Sequence, residues 1–128
     1  MSLKSPLRRV TYLGSAKSGS SHWYAQRVTA VALVLLGLWL VISLASMGGA
    51  SHENVVAWLS SPVAAAFAVL LVLTAAWHAM LGLQVVIEDY VGDKGARMAL
   101  LLVVKFALVV AAVIGVLAVL RIAFGVAA

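Results

Sequence analysis

Three long apolar runs dominate the chain, and short polar segments separate them. The runs cover residues 28–47, 62–87 and 98–124. Each run reaches the roughly 20 residues that a helix needs to cross the ~30 Å hydrocarbon core of a bilayer. Membrane-spanning strands would need segments of about ten residues with alternating polarity, and these runs are continuous. The pattern therefore predicts an all-α integral membrane protein with three transmembrane helices.

The joints between the predicted spans are short and contain residues that break helices. Residues 48–61 begin with two glycines. Pro62 comes directly after this segment, in a position that suits the start of a helix. Residues 88–97 are polar and contain two further glycines. Short joints favour antiparallel neighbours, so we expect the three helices to run up, down and up.

The distribution of basic residues predicts the orientation of the chain in the membrane. Five of them precede the first span, none lies in the first joint, and Lys94 and Arg97 lie in the second joint. The first group consists of Lys4, Arg8, Arg9, Lys17 and Arg27. Because cytoplasmic flanks are enriched in Lys and Arg, we expect the N-terminus to be cytoplasmic. Residues 1–27 are predicted to form a basic cytoplasmic arm, and residues 28–128 the transmembrane anchor domain.

Composition narrows the classes of function. The chain is 65% hydrophobic and only 10% charged, whereas soluble domains are about 25% charged. It contains no cysteine, which removes disulfides and thiolate metal sites. The net charge of +5 lies on the membrane flanks, so we expect a lipid bilayer and no nucleic acid as a partner.

His78 is the residue that most needs an explanation. It lies ten residues before Glu88, or about 15 Å below the membrane interface, where an ionisable side chain usually has a function. One interpretation is a neutral histidine that forms a hydrogen bond between helices. The other is an axial ligand to haem iron. His22 and His52 lie outside the middle of the membrane, so a second axial ligand would come from another polypeptide.

A polar cluster is predicted at the end of the second span. Asp89 shares a helix face with His78 and Gly82, so its carboxylate is expected to need a cation, and Arg27 lies at a similar depth. Simple anchoring at the membrane interface is the alternative. The cluster comprises Arg27, Glu88, Asp89, Tyr90 and Arg97.

Two blocks of the sequence resemble a known family. One runs from His78 through Gly82 to Asp89-Tyr90-Val91, and the other is Arg27-Val-Thr-Ala. With the three-span pattern, they resemble the small hydrophobic membrane-anchor subunit of succinate dehydrogenase, respiratory complex II. The resemblance covers residues 22–128 and is most specific between residues 78 and 91.

This resemblance implies a cofactor, a substrate and a set of partners. His78 would be one of two axial ligands of a haem b, and a second membrane-anchor subunit would supply the other. Tyr90 would bind ubiquinone with Asp89 in support, and Arg27 and His22 would lie near the haem propionates. Flavin and iron–sulfur clusters would belong to the flavoprotein and iron–sulfur subunits. The location would be the inner membrane of a bacterium or of a mitochondrion.

Two alternatives use the same pattern. The anchor of a fumarate reductase would run the reaction in the opposite direction. A small transporter or accessory membrane protein would hold no cofactor, and Lys105 would then contact a substrate or an ion. Lys105 is otherwise explained as a lysine whose long side chain reaches the membrane interface.

Overall fold

Four helices make up the regular structure of the part of the chain that the computed structural model describes, residues 13–126. Their bounds are Leu13–Ser46 (α1), His52–Leu59 (α2), Pro62–Tyr90 (α3) and Lys94–Ala123 (α4). The three long ones each contain a stretch long and apolar enough to cross a membrane. The predicted all-α fold with three spans is confirmed.

Helix α3 is the central element because it packs against both α1 and α4. The contact between α3 and α4 is close where Gly115 faces Val72: a Cβ on this glycine would lie 2.9 Å from Val72 Cγ1. Small residues at helix crossings allow backbones to approach in this way in membranes. The absence of a side chain at residue 115 therefore sets the spacing of these two helices.

Helix α1 is longer than the predicted span of residues 28–47. It begins at Leu13, so His22 and Arg27 lie inside the helix and not before it. No proline interrupts residues 13–27, so nothing in them prevents the backbone from continuing the helix beyond the apolar stretch. Lys4, Arg8 and Arg9 lie outside the described residues.

The first joint contains a helix that the sequence pattern does not predict. The chain leaves α1 through Gly48 and Gly49, whose positive φ angles of 67° and 147° favour glycine. Helix α2 then begins after Ser51, whose hydroxyl accepts the backbone N–H of Asn54 at 3.3 Å.

An aromatic cluster holds α2 against the bundle. Its Trp58 lies 5.1 Å from Trp39 of α1 between ring centroids, and Trp39 meets Phe67 of α3 edge to face at 5.2 Å. Aromatic pairs at these separations are favourable. The cluster therefore joins the first joint to two of the long helices.

The second joint is tighter than predicted, since only residues 91–93 lie between α3 and α4. Asp93 caps α4 by accepting the backbone N–H of Ala96 at 2.7 Å. Arg97 donates its Nε–H to the Val91 carbonyl at 2.9 Å, close to the end of α3. These two side chains satisfy backbone groups at adjacent helix ends, which is why so short a joint suffices.

Most apolar side chains of the long helices face outward. In the most apolar windows of α1, α3 and α4, only 6%, 11% and 0% of residues are buried. A soluble protein would not expose such a surface. Lipid or partner subunits must cover it.

We expect Gly115→Ala to destabilise the bundle by about 1–3 kcal/mol, because the new methyl group overlaps the stiff Val72 side chain. The midpoint of denaturation by a strong detergent measures the loss. Gly37→Ala is the matched control, since a Cβ at that helical glycine meets nothing within 4 Å. Adding Val72→Ala should lessen the loss; a double variant as weak as the sum of the two single variants would contradict this packing.

Candidate functional site: a histidine held between two helices

A hydrogen bond joins the middle of α3 to α1. The Nδ1 atom of His78 lies 2.9 Å from Oγ1 of Thr29. Thr29 is the most deeply buried polar residue of the described part of the chain, at 3% exposure, and His78 is half-buried. The histidine is therefore fixed by a helix–helix contact from the side of α1.

The direction of this hydrogen bond follows from the other contacts of Thr29. Its Oγ1 also lies 2.7 Å from the carbonyl oxygen of Ala25 and 3.1 Å from that of Gln26, in the preceding turn. A hydroxyl has one hydrogen, and carbonyls only accept. The hydroxyl therefore donates to the preceding turn and accepts from His78, whose Nδ1 carries the proton.

This assignment leaves the lone pair of the histidine on Nε2. In the described part of the chain this atom has no hydrogen-bond partner, and it is not fully buried. Ring nitrogens that bind metals usually have their other N–H held by an acceptor in this way, which fixes the tautomer. The neutral form of the His78 ring thus presents an oriented Nε2 lone pair that no described residue uses.

A metal ion at His78 would need other ligands. Residues 13–126 contain no group of three or more His, Cys, Asp or Glu side chains placed to hold one. A group that brings most of its own ligands and needs only one imidazole from this chain fits this arrangement.

Two more polar side chains of α1 lie on the same side as Thr29. His22, Gln26 and Thr29 recur at the spacing of one helix face, and neither His22 nor Gln26 is exposed. Nε2 of His22 and Oε1 of Gln26 are buried without a hydrogen-bond partner among the described residues. Buried polar atoms of this kind usually have a partner, so this face of α1 is incomplete in the isolated chain.

Gly82 lies one turn from His78 and faces Gln26. A Cβ on Gly82 would lie 3.8 Å from the Gln26 side-chain nitrogen. The glycine thus leaves room for a polar side chain of α1.

The polar cluster predicted at the end of α3 is only partly assembled. Tyr90 is 85% exposed and Asp89 is also exposed. Arg27 forms no ion pair with Asp89; its guanidinium carbon lies 5.4 Å from the centre of the Trp23 ring. Arg27 precedes Thr29 by two residues, which turns it about 200° around the helix. The expected pair of Asp89 and Arg27 is therefore not formed within the chain.

The remaining charged members of the cluster have local roles. Glu88 accepts a hydrogen bond from Gln84 at 2.9 Å, one turn earlier on α3. Arg97 donates to the Val91 carbonyl at the second joint. Neither of them reaches His78.

The sequence pattern does not reveal the roles of Thr29 and Gln26. It marks Thr29 only as part of a motif and does not single out Gln26. The sequence feature that could have revealed these roles is a polar stripe on one face of α1, which continues into the apolar run. It consists of His22, Gln26 and Thr29. Its partner on α3 is set by the helix packing, which the pattern does not specify.

Comparison with known proteins places these features in a family. A family model described as succinate dehydrogenase/fumarate reductase transmembrane subunit matches residues 1–114. The chain belongs to this family. The predicted resemblance is thereby confirmed at the level of the family.

Curated relatives carry a more specific name. A succinate dehydrogenase hydrophobic membrane anchor subunit of Rickettsia bellii is 47% identical over 94 residues, which are 72% of this chain and 74% of that protein. The protein of the same name from Paracoccus denitrificans is 32% identical over 110 residues, or 84% and 85% of the two chains. With three apolar helices, this family membership identifies an integral, multi-pass protein of the inner membrane.

We expect Thr29→Val to weaken the contact between α1 and α3 by about 1–3 kcal/mol, because the His78 N–H loses its acceptor inside the bundle. Resistance of the protein to detergent denaturation measures the change. Thr29→Ser keeps the hydroxyl and should retain most of the stability. A loss in Thr29→Ser with little or none in Thr29→Val would show that the threonine acts through its methyl group.

Proposed function

We propose that the chain is a membrane-anchor subunit of succinate dehydrogenase, and that His78 is an axial ligand of a haem b shared with a second anchor subunit. Tyr90 and Asp89 form part of the site where ubiquinone is reduced. One observation carries the proposal: Nδ1 of His78 lies 2.9 Å from the Thr29 hydroxyl, while its Nε2 has no hydrogen-bond partner among the described residues. The names of the relatives supply the enzyme complex.

The geometry of His78 fits haem iron. A histidine binds haem through a neutral nitrogen, and the Thr29 contact stabilises the tautomer that has this nitrogen at Nε2. Neither other histidine lies level with His78, since His22 precedes Thr29 by two turns of α1 and His52 lies at the start of α2. The other axial ligand then comes from the partner anchor subunit.

His22 and Arg27 are the residues we assign to the haem propionates. His22 lies two turns from Thr29 on the same helix face, and its buried Nε2 has no hydrogen-bond partner among the described residues. A carboxylate near it would accept a hydrogen bond from this nitrogen when the ring is protonated there. Arg27 is permanently positive and is held near the interface by Trp23. Haem b, when bound, supplies one-electron redox chemistry.

Tyr90 is suited to bind a quinone carbonyl. Its phenol is a hydrogen-bond donor, and an oxygen that gains negative charge during reduction is stabilised by such a donor. At 85% exposure, the side chain has room to contact a ligand and a neighbouring subunit. Asp89, the preceding residue, is exposed beside it, and its carboxylate can accept a hydrogen bond from a group that positions the tyrosine. At this end of α3, water can supply the protons that quinone reduction consumes.

The chemistry of succinate itself belongs to other subunits. It would need a flavin, and we assign the flavin and the iron–sulfur clusters to the flavoprotein and iron–sulfur partners. This chain would hold those partners at the membrane. Its wide apolar surface then contacts lipid and the second anchor subunit.

Replacement of the proposed ligand tests the haem assignment. In the assembled complex, we expect His78→Ala to abolish or strongly shift the haem b absorption, because iron loses one axial nitrogen. The reduced-minus-oxidised spectrum measures this, with flavin and iron–sulfur content as the check on assembly. His52→Ala, in the opposite joint, is the control and should leave the spectrum unchanged. An unaltered spectrum in the His78 variant would refute the assignment.

Replacement of the phenol tests the quinone site. We expect Tyr90→Phe to slow quinone reduction by about ten- to a hundredfold, the effect of losing one hydrogen bond of about 1.5–3 kcal/mol to a charged acceptor. Succinate oxidation with an artificial acceptor should be retained. Tyr24→Phe, on the exposed surface of α1, is the matched control. Equal loss of both activities would point to a role in assembly.

A further inference from the structure

The first three turns of α4 carry a basic groove that the proposed function does not use. It has a volume of about 430 Å³. Its lining combines three cations with three long apolar side chains. These are Lys94, Arg97, Met98, Leu101, Leu102 and Lys105.

The three cations have no carboxylate partner among the described residues. Lys94 and Lys105 form no hydrogen bond or ion pair there. Arg97 uses its Nε for the Val91 carbonyl, which leaves its terminal amino groups for another acceptor. The nearest acid in sequence, Asp93, accepts the backbone N–H of Ala96. The groove therefore holds three cations that form no ion pair among the described residues.

Helix geometry places Lys94 and Lys105 on one face of α4. Lys94 and Lys105 are eleven residues apart, which places them within about 20° of one line and about 16 Å apart along the axis. Lys105 lines the same groove as Lys94 and Arg97, and its flexible four-carbon stem allows the ammonium to reach toward the membrane interface. The apolar side chains of Met98 and Leu102 lie beside this path and are largely exposed.

We propose that this groove binds an anionic phospholipid. Its phosphate would lie among Lys94, Arg97 and Lys105, and an acyl chain would run along Met98, Leu101 and Leu102. A lining that combines cations with long apolar side chains suits a molecule with a charged headgroup and an apolar tail, and basic pockets near the membrane surface suit acidic lipids. The proposal also gives Lys105 a role, because a cation within a spanning helix needs an anion or an aqueous path.

Photo-crosslinking in the intact complex tests the proposal. The photoreactive residue benzoylphenylalanine is placed at Leu102, in the groove, or at Val103, outside the groove at nearly the same depth. Both side chains are 64% exposed, so they form a matched pair. The complex is reconstituted in vesicles that contain equal amounts of phosphatidylglycerol and phosphatidylethanolamine, and adducts are identified by mass.

We expect adducts at Leu102 to favour phosphatidylglycerol several-fold, and adducts at Val103 to show no such preference. Lys94→Gln and Lys105→Gln should each lower the ratio of phosphatidylglycerol to phosphatidylethanolamine adducts at Leu102. The expected decrease is roughly fivefold, or down to a ratio of one, which is the effect of one basic residue at a membrane surface. Lys105→Arg, which keeps the charge, should preserve it.

Three results would overturn the proposal. Equal adducts of the two lipids at Leu102 would show that the groove does not select an anion. A preference that persists in the double glutamine variant would show that the lysines do not cause it. A protein adduct at Leu102 in place of lipid would show that a partner subunit fills the groove.

Discussion

The hydrogen bond between His78 and Thr29 is the contact on which the site depends. This hydrogen bond has two effects. It joins α1 to α3, and it determines which imidazole nitrogen carries the proton. The Thr29 hydrogen is directed into the preceding turn of α1, so the hydroxyl accepts from the ring. A change in the packing of these helices would therefore alter the orientation and the tautomer of the histidine together.

This contact also sets the register of the seam between α1 and α3. The two helices run in opposite directions, so residues that precede Thr29 meet residues that follow His78, and Gln26 accordingly faces Gly82. The α3–α4 contact is different in kind, since Gly115 and Val72 pack without polar groups. One side of α3 therefore contacts its neighbour through polar groups, and the other side contacts its neighbour through close apolar packing.

The three spans and the importance of His78 are predictable from the sequence because both follow from local patterns. Long apolar runs need lipid whatever surrounds them, and a histidine within one is conspicuous. Helix α2 is not predictable in this way because it depends on contacts of Trp58 with distant residues. The pairing of Asp89 with Arg27 is expected from depth alone, yet the angular position of Arg27 directs it toward Trp23. The role of Thr29 is not predictable from the sequence because it depends on a partner on another helix, which the local pattern does not specify.

The atoms that lack partners in the described part of the chain indicate where the rest of the site must be. Nε2 of His78, Nε2 of His22 and Oε1 of Gln26 all belong to the seam between α1 and α3. Leaving such groups unpaired inside an assembled complex would cost about 1–3 kcal/mol each. The groups that satisfy them should therefore approach the α1–α3 side of the bundle. In the proposed function, the haem and the second anchor subunit lie on that side, and the outer surface of α4 is left to lipid.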